Sequence, residues 1–323
     1  MLSLDALRSP LFFRPIYQTV VWGGRRIAER RQDVPAGPIG EAWDISDHPR
    51  GPSVVADGPL QGRTLSDLVR SAPEALVGAG FLGDTFPLLV KLIDARDRLS
   101  VQVHPDDLLA SAIGPGVRGK TECWYLLDHG GELFVGTVPG TTRAAFEAGL
   151  ASGQIEGLLQ RFDTGPGDCV HLPARTLHAI GRNCLLWEVQ QTSDITYRVY
   201  DWGRLGLDGL PRPLHVTESL ATIDFTAPPR VTVACHGARR RLVDCDYFTL
   251  DELPVGPILQ THTVTRATVV LTLDKPISVI CPAGHRDVAP YSAVLVPAVA
   301  GKLDLQATRP GRALLATVVL RAP

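Results

Sequence analysis

The feature that most constrains this chain is how short its apolar runs are and how regularly turns interrupt them. FPLLVKLID (86–94), LSVQVH (99–104), ECWYLLD (122–128), GDCVHLP (167–173) and LLWEVQQ (185–191) are β-branched and aliphatic segments bounded by polar residues. Such punctuation predicts antiparallel sheets and excludes a helix bundle. The 31 glycines and 26 prolines exceed the ~12% joint share of an average chain, as many turns require. ARDR, between the first two runs, is a polar turn of hairpin length. Helical periodicity is limited to Thr64–Val69, behind a threonine cap, and to Thr141–Arg161, where Gly149, Gly153 and Gly157 weaken it.

At 323 residues the chain exceeds the roughly 250–300 residues at which single cores stop growing, so two domains are expected. The irregular stretch TIDFTAPPR (222–230) marks the boundary, giving units 1–228 and 229–323. Strand-like runs resume beyond it: YFTLDEL, TVVLTL, ISVICPAGH, SAVLVPA and ALLATVVL. The two parts read as copies of one architecture, a double-sheet jelly roll, mainly β with a few short helices. Lys plus Arg is 32 and Asp plus Glu is 34, a net charge of −2, which argues against nucleic-acid or anionic-membrane partners. No apolar run approaches the roughly 18 residues of a membrane span. Asp5 and Arg8 interrupt the N-terminal apolar stretch, so no signal peptide is expected. Cys123, Cys169, Cys184, Cys235, Cys245 and Cys281 form no C-x-x-C pair and sit mostly in strand-like runs. Buried free thiols and a cytoplasmic protein follow.

Chemistry is expected in the first unit, where polar residues recur on strand faces. Side chains alternate along a strand, so Ser100, Gln102 and His104 share one face while Leu99, Val101 and Val103 share the other. The same alternation groups Lys120, Glu122 and Trp124, and His178 follows a tight turn after GDCVHLP. Two imidazoles, a carboxylate and an amide can converge at a barrel mouth, a set suited to Zn²⁺ or another first-row divalent ion with open positions. His171, seven residues before His178, is an alternative ligand. His48, His129, His215, His236, His262 and His285 lack a partner pattern and are expected at the surface or hydrogen bonded. The joint pattern, His then Glu 18 residues later then Gly-x(5)-Pro-x(4)-His, resembles a divergent cupin metal site.

GEAWDISDHP, FPLLVKLIDARDRLSVQVHPDD, GKTECWYLL, GDCVHLPARTLHAIG and LLWEVQQTSDITYRVYDWGR resemble type I phosphomannose isomerases in their compact bacterial form, as do VWGG near Trp22 and PYSAVLVPA. The resemblance implies two cupin-like jelly rolls and an aldose–ketose isomerase that interconverts mannose 6-phosphate and fructose 6-phosphate through an enediol. It implies one Zn²⁺ per chain held by Gln102, His104, Glu122 and His178, a catalytic Arg198, and Lys120 and Asp194 in proton transfer or substrate positioning. Lys91 and Ser100 match positions associated with the substrate phosphate. The family usually reads P-A-G-T-x-H, whereas this chain has Arg175 in place of the glycine. Such a glycine often serves a turn with positive φ or a close backbone approach, so Arg175 is expected to alter the turn or substrate access, or to add a phosphate contact.

Glu188 alternates with Leu186 and Gln190 and is a candidate base. Lys120 is its rival, with a salt bridge or phosphate contact as the other role for Lys120 and support of a ligand histidine as the other role for Glu188. Arg198 has Asp194 and Asp201 as alternative ion-pair partners. The expected partner is a small sugar phosphate, and the chain is expected to be a monomer or weak homodimer. A noncatalytic sugar-phosphate sensor on the same scaffold, and an iron-dependent oxygenase, are the competing classes.

Overall fold

The structure is a computed structural model that describes residues 3–232 and 239–320. Cys235 and His236 lie outside the described residues. The first unit is a sandwich of two antiparallel sheets. One has seven strands in the order Ile16–Gly24, Ile39–Ile45, Leu88–Ala95, Cys184–Gln191, Glu122–Leu126, Cys169–Leu172 and Arg230–Thr232. The other has five, in the order Tyr197–Tyr200, Val101–Val103, His178–Ile180, Gly131–Thr137 and Leu159–Thr164. The second unit repeats the plan with five strands (Arg240–Asp244, Phe248–Val255, Gly311–Val318, Thr268–Thr272, Ala293–Val296) facing four (Gln260–Thr263, Lys302–Gln306, Ile277–Cys281, Gly284–Val288).

The strand Cys184–Gln191 is buried along its whole length, yet its sequence alternates. Leu185, Trp187 and Val189 join a core shared with Phe248, Leu250, Leu314 and Ala316 of the second unit. Leu186, on the other face, joins the core inside the first sandwich, and Glu188 and Gln190 share that face by alternation. The seven-stranded sheet is thus apolar toward its neighbour and mixed toward its own interior.

Two local readings are corrected, and the proposed domain boundary is adjusted. The ARDR turn does not close a hairpin. Leu88–Ala95 pairs with Ile39–Ile45 and Cys184–Gln191, whereas Val101–Val103 pairs with the strands of His178 and Arg198 in the opposite sheet. The Arg96 and Asp97 amides donate to Trp22 O in the first sheet, and the Leu99 amide donates to Ile180 O in the opposite one at 2.8 Å. The helix expected over Thr141–Arg161 spans Arg143–Ser152, capped by Thr142, whose side chain accepts from the Ala145 amide. Gly153 stops it at φ +71, and Leu159–Thr164 is a strand. Arg230–Thr232, just past 228, is hydrogen bonded to Cys169–Leu172 in the first sandwich. A cut at 228/229 would separate that strand from its sheet, so we propose a division after Thr232. The short helix behind Thr64 does form, over Leu65–Ser71, with Thr64 and Asp67 in a reciprocal capping box.

Cys123, Cys169, Cys184 and Cys281 are buried free thiols, and Cys245 is half-buried. No helix among the described residues is long and apolar enough to cross a membrane.

Candidate metal centre

The two inner faces of the first sandwich bring together the polar residues that its strands hold apart in sequence. His178 stands directly opposite Gln102, and Arg198 directly opposite Gln102 on its other side, so all three project to one face of the five-stranded sheet. Glu122 projects from the seven-stranded sheet beside Gln190. His104 follows the end of the Val101–Val103 strand. The His178 Nε2 lies 3.3 Å from Glu122 Oε1 and the His104 Nε2 3.7 Å from Glu122 Oε2. One ligand atom each from His104, Glu122 and His178 lies within 4.8 Å of the others, and all three residues are buried. Gln102 lies against them, its Nε2 3.3 Å from His178 Nε2.

The donor chemistry fits a divalent cation. His104 Nδ1 is bonded to Ile195 O at 2.7 Å and His178 Nδ1 to Thr176 O at 2.8 Å. Carbonyls only accept, so each Nδ1 carries the proton and each Nε2 lone pair points at the centre. Burial first, then Lys120, holds the His178 imidazole down to about 3, and the same causes depress His104, so both rings are neutral. Burial pushes the Glu122 carboxyl up, with Lys120 opposing. The Glu122 oxygens have no hydrogen bond besides the contact of Oε2 with Lys120 Nζ at 2.6 Å. A buried carboxylate left so incompletely satisfied beside two aimed imidazole lone pairs is what a metal ion completes.

The matches with known proteins agree with this geometry. Residues 11–148 match the model for the phosphomannose isomerase type I catalytic domain. A putative mannose-6-phosphate isomerase of Bacillus subtilis is 43% identical over 218 residues, 66% of this chain and 67% of its own. A second B. subtilis relative, a probable mannose-6-phosphate isomerase, is 40% identical over 250 residues, covering 75% of this chain and 78% of that protein. The chain belongs to the type I phosphomannose isomerase family. The crystal structure of the B. subtilis mannose 6-phosphate isomerase superposes with a TM-score of 0.86 at 30% identity, over 95% of this chain and 99% of that one. A putative mannosephosphate isomerase from Archaeoglobus fulgidus, 20% identical with a TM-score of 0.78, shares the fold.

The residues that the family resemblance singles out fall into two groups. Beside the ligand set are Lys120, whose Nζ is also 3.2 Å from His104 Nε2, Ser100, whose hydroxyl is 3.3 Å from Gln102 Oε1, and Arg198. Arg198 is in no ion pair among the described residues. Its Nη1 donates to Pro213 O and its Nε is buried without a partner. Both suggested carboxylate partners are occupied elsewhere, Asp201 by Arg204 and Arg212, and Asp194 by His48 and Arg50. Asp194 is linked to the centre through the neighbouring Ile195, whose carbonyl bonds His104 Nδ1.

Lys91 and Glu188 form the second group, one row along the same inner face. Trp43, Lys91, Glu188 and Trp124 stand directly opposite one another on four adjacent strands. Lys91 Nζ is 2.9 Å from Glu188 Oε1 and 3.7 Å from Glu41 Oε2, and Trp124 Nε1 donates to Glu188 Oε2 at 3.0 Å. Burial opposes the Glu188 charge, but Lys91 and then Lys120 outweigh it and hold the carboxyl at about 2. Glu41, Trp43 and Gln190 are not among the residues that the sequence motifs single out. Glu41 and Trp43 are brought there by the pairing of Ile39–Ile45 with Leu88–Ala95, because Ile39 and Ile45 lie in the same core as Ala42 and local alternation does not single them out.

His171 is excluded as a ligand by the same alternation. Val170 and Leu172 face the interior of the first sandwich, so His171, between them, faces away. Arg175 takes φ +72, the left-handed conformation. Its amide donates to His104 O at 2.7 Å and its Nε to Thr222 O at 3.1 Å, which hold the turn in place.

Proposed function

We propose that this chain interconverts mannose 6-phosphate and fructose 6-phosphate through an enediol, at one Zn²⁺ held by Gln102, His104, Glu122 and His178. The observation that carries the reading is the pair of imidazole Nε2 atoms beside an incompletely satisfied buried Glu122 carboxylate in a member of this family. The ion, when bound, polarises and orients the oxygens on carbons 1 and 2 of the open-chain sugar.

The chain's own groups do the rest. Arg198 is always cationic and lacks a carboxylate partner among the described residues, so its charge is free to stabilise the oxyanion that develops as carbon 2 loses its proton. Lys120 Nζ, beside Glu122 and His104, is the group we assign to carry that proton from carbon 2 to carbon 1. Glu188, held as an anion by Lys91 and Trp124, is a poor proton acceptor, and we assign it the fixing of Lys91. Lys91 has three N–H donors and two carboxylate neighbours, which leaves one donor for the substrate phosphate. Ser100, buried beside Gln102, is the second phosphate contact. Asp194, through His48 and Arg50, steadies the segment whose Ile195 carbonyl orients His104. Free buried thiols support a reducing, cytoplasmic location for this chemistry.

The test is a coupled assay on mannose 6-phosphate before and after chelation. Activity that disappears with chelator and returns with Zn²⁺ is expected. Turnover indifferent to chelation, or none in zinc-loaded protein, overturns the reading.

A further inference from the structure

The second sandwich has a mouth of its own, a cavity of about 300 Å³ between its two sheets. His262 stands directly opposite Leu303, a residue of that sandwich's interior core, so its ring is on the inward face. Its Nε2 is buried and has no hydrogen-bond partner among the described residues, which is neither the exposed nor the satisfied position expected of it. From the facing sheet, Asp251 stands opposite the inward Leu315, and Thr268 stands opposite Thr317, two residues beyond Leu315 on the same strand. Asp251 and Thr268 are each 5% exposed. Arg239 and Arg241 contact the Asp251 carboxylate at 2.9 and 2.6 Å, and the Thr268 and Thr317 hydroxyls are 3.2 Å apart.

This arrangement is unlike the rest of that interior, which is built from valine, leucine and isoleucine. A buried imidazole nitrogen without a partner is costly unless something completes it. A carboxylate, two hydroxyls and an imidazole nitrogen gathered over the apolar side chains of Leu303 and Leu315 offer hydrogen bonds to hydroxyls and a floor for a ring's C–H face. We propose that this mouth is a second binding site for a monosaccharide, free or phosphorylated, separate from the centre in the first unit. Asp251 and His262 Nε2 take sugar hydroxyls, and Arg266, at the rim, is the contact for a phosphate if the sugar carries one. The proposal does not depend on the isomerase reading.

Hydrogen–deuterium exchange on the full zinc-loaded chain tests it, with mannose and fructose 6-phosphate as separate probes. At least one probe is expected to slow exchange severalfold across 260–268 and 311–318. Protection by fructose 6-phosphate alone identifies a phosphorylated ligand, and protection by both identifies the sugar ring as sufficient. His262→Ala and Thr268→Val should abolish that protection while turnover stays within about twofold of the parent. If His262→Ala fails to fold, Thr317→Val takes its place. No protection with either probe, or protection unchanged in the folded variants, overturns the proposal. Protection around 101–104 and 178–180 reports separately on the first centre.

Discussion

The two sandwiches share a plan and differ in what they turn inward. In the first, one row across the inner face reads Trp43, Lys91, Glu188, Trp124, and Glu122 and Gln190 face each other in the next. In the second, inward positions include Leu253, Val255, Val270, Val279 and Leu305, and Asp251, His262, Thr268 and Thr317 gather at one mouth. The architecture therefore supplies a container between two sheets, and alternate positions on a few strands decide whether the container does chemistry. The cost falls on the first unit, because every charge placed there needs a partner or a ligand.

Four substitutions would break or sharpen that contrast. Lys91→Met leaves Glu188 buried without its nearest cation and should destabilise the protein by about 3–5 kcal/mol in denaturant unfolding. A loss below about 1 kcal/mol would mean that the inner row is not under electrostatic strain. Arg198→Ala should lower turnover roughly 100- to 1000-fold, with zinc content unchanged by elemental analysis. Near-parental turnover would remove Arg198 from the mechanism.

Glu252 tests the joint between the units. It accepts from Tyr125 of the first unit at 2.8 Å and from Arg240 and Arg312 of the second. Burial opposes its charge, but Arg312, Arg240 and Tyr125 together hold its carboxyl below the ordinary 4.5. A depressed folded value means that its stabilisation is complete above the unfolded value near 4.5 and is lost as pH falls through the folded one. Glu252→Gln should cost about 1–3 kcal/mol at pH 7, and its gap from the parent should narrow as thermal unfolding is repeated toward pH 3. A gap independent of pH would contradict this. Arg175→Gly, the smallest effect, should stabilise by about 1 kcal/mol by relieving a left-handed non-glycine residue, unless the Thr222 contact outweighs the relief. A loss of stability would show that the side-chain tether to Thr222 contributes more than the backbone strain costs.

The residues that made the centre legible in sequence were those on strands with a clean period of two. Gln102 and His104 alternate with Val101 and Val103, and Glu122 with Cys123, so their faces followed from spacing alone. What local pattern does not carry is the pairing of distant strands. ARDR has the composition of a hairpin turn, yet Leu99, just beyond it, donates to Ile180 O in the opposite sheet. Glu41 and Trp43 were missed for the same reason, since their importance comes from standing beside Lys91, 50 residues away for Glu41. The helix that stops at Gly153 shows the converse, a glycine visible in the sequence whose effect depends on its left-handed φ. The left-handed turn at Arg175 was not settled by the sequence, where an arginine in place of glycine left the turn geometry open.

The central claim is that inward faces of two sheets in the first unit, and not in the second, converge on one divalent cation. Elemental analysis of purified parent and His178→Ala protein tests it directly. The account predicts one zinc per chain in the parent and none in folded His178→Ala. Stoichiometric zinc retained without that imidazole would contradict it.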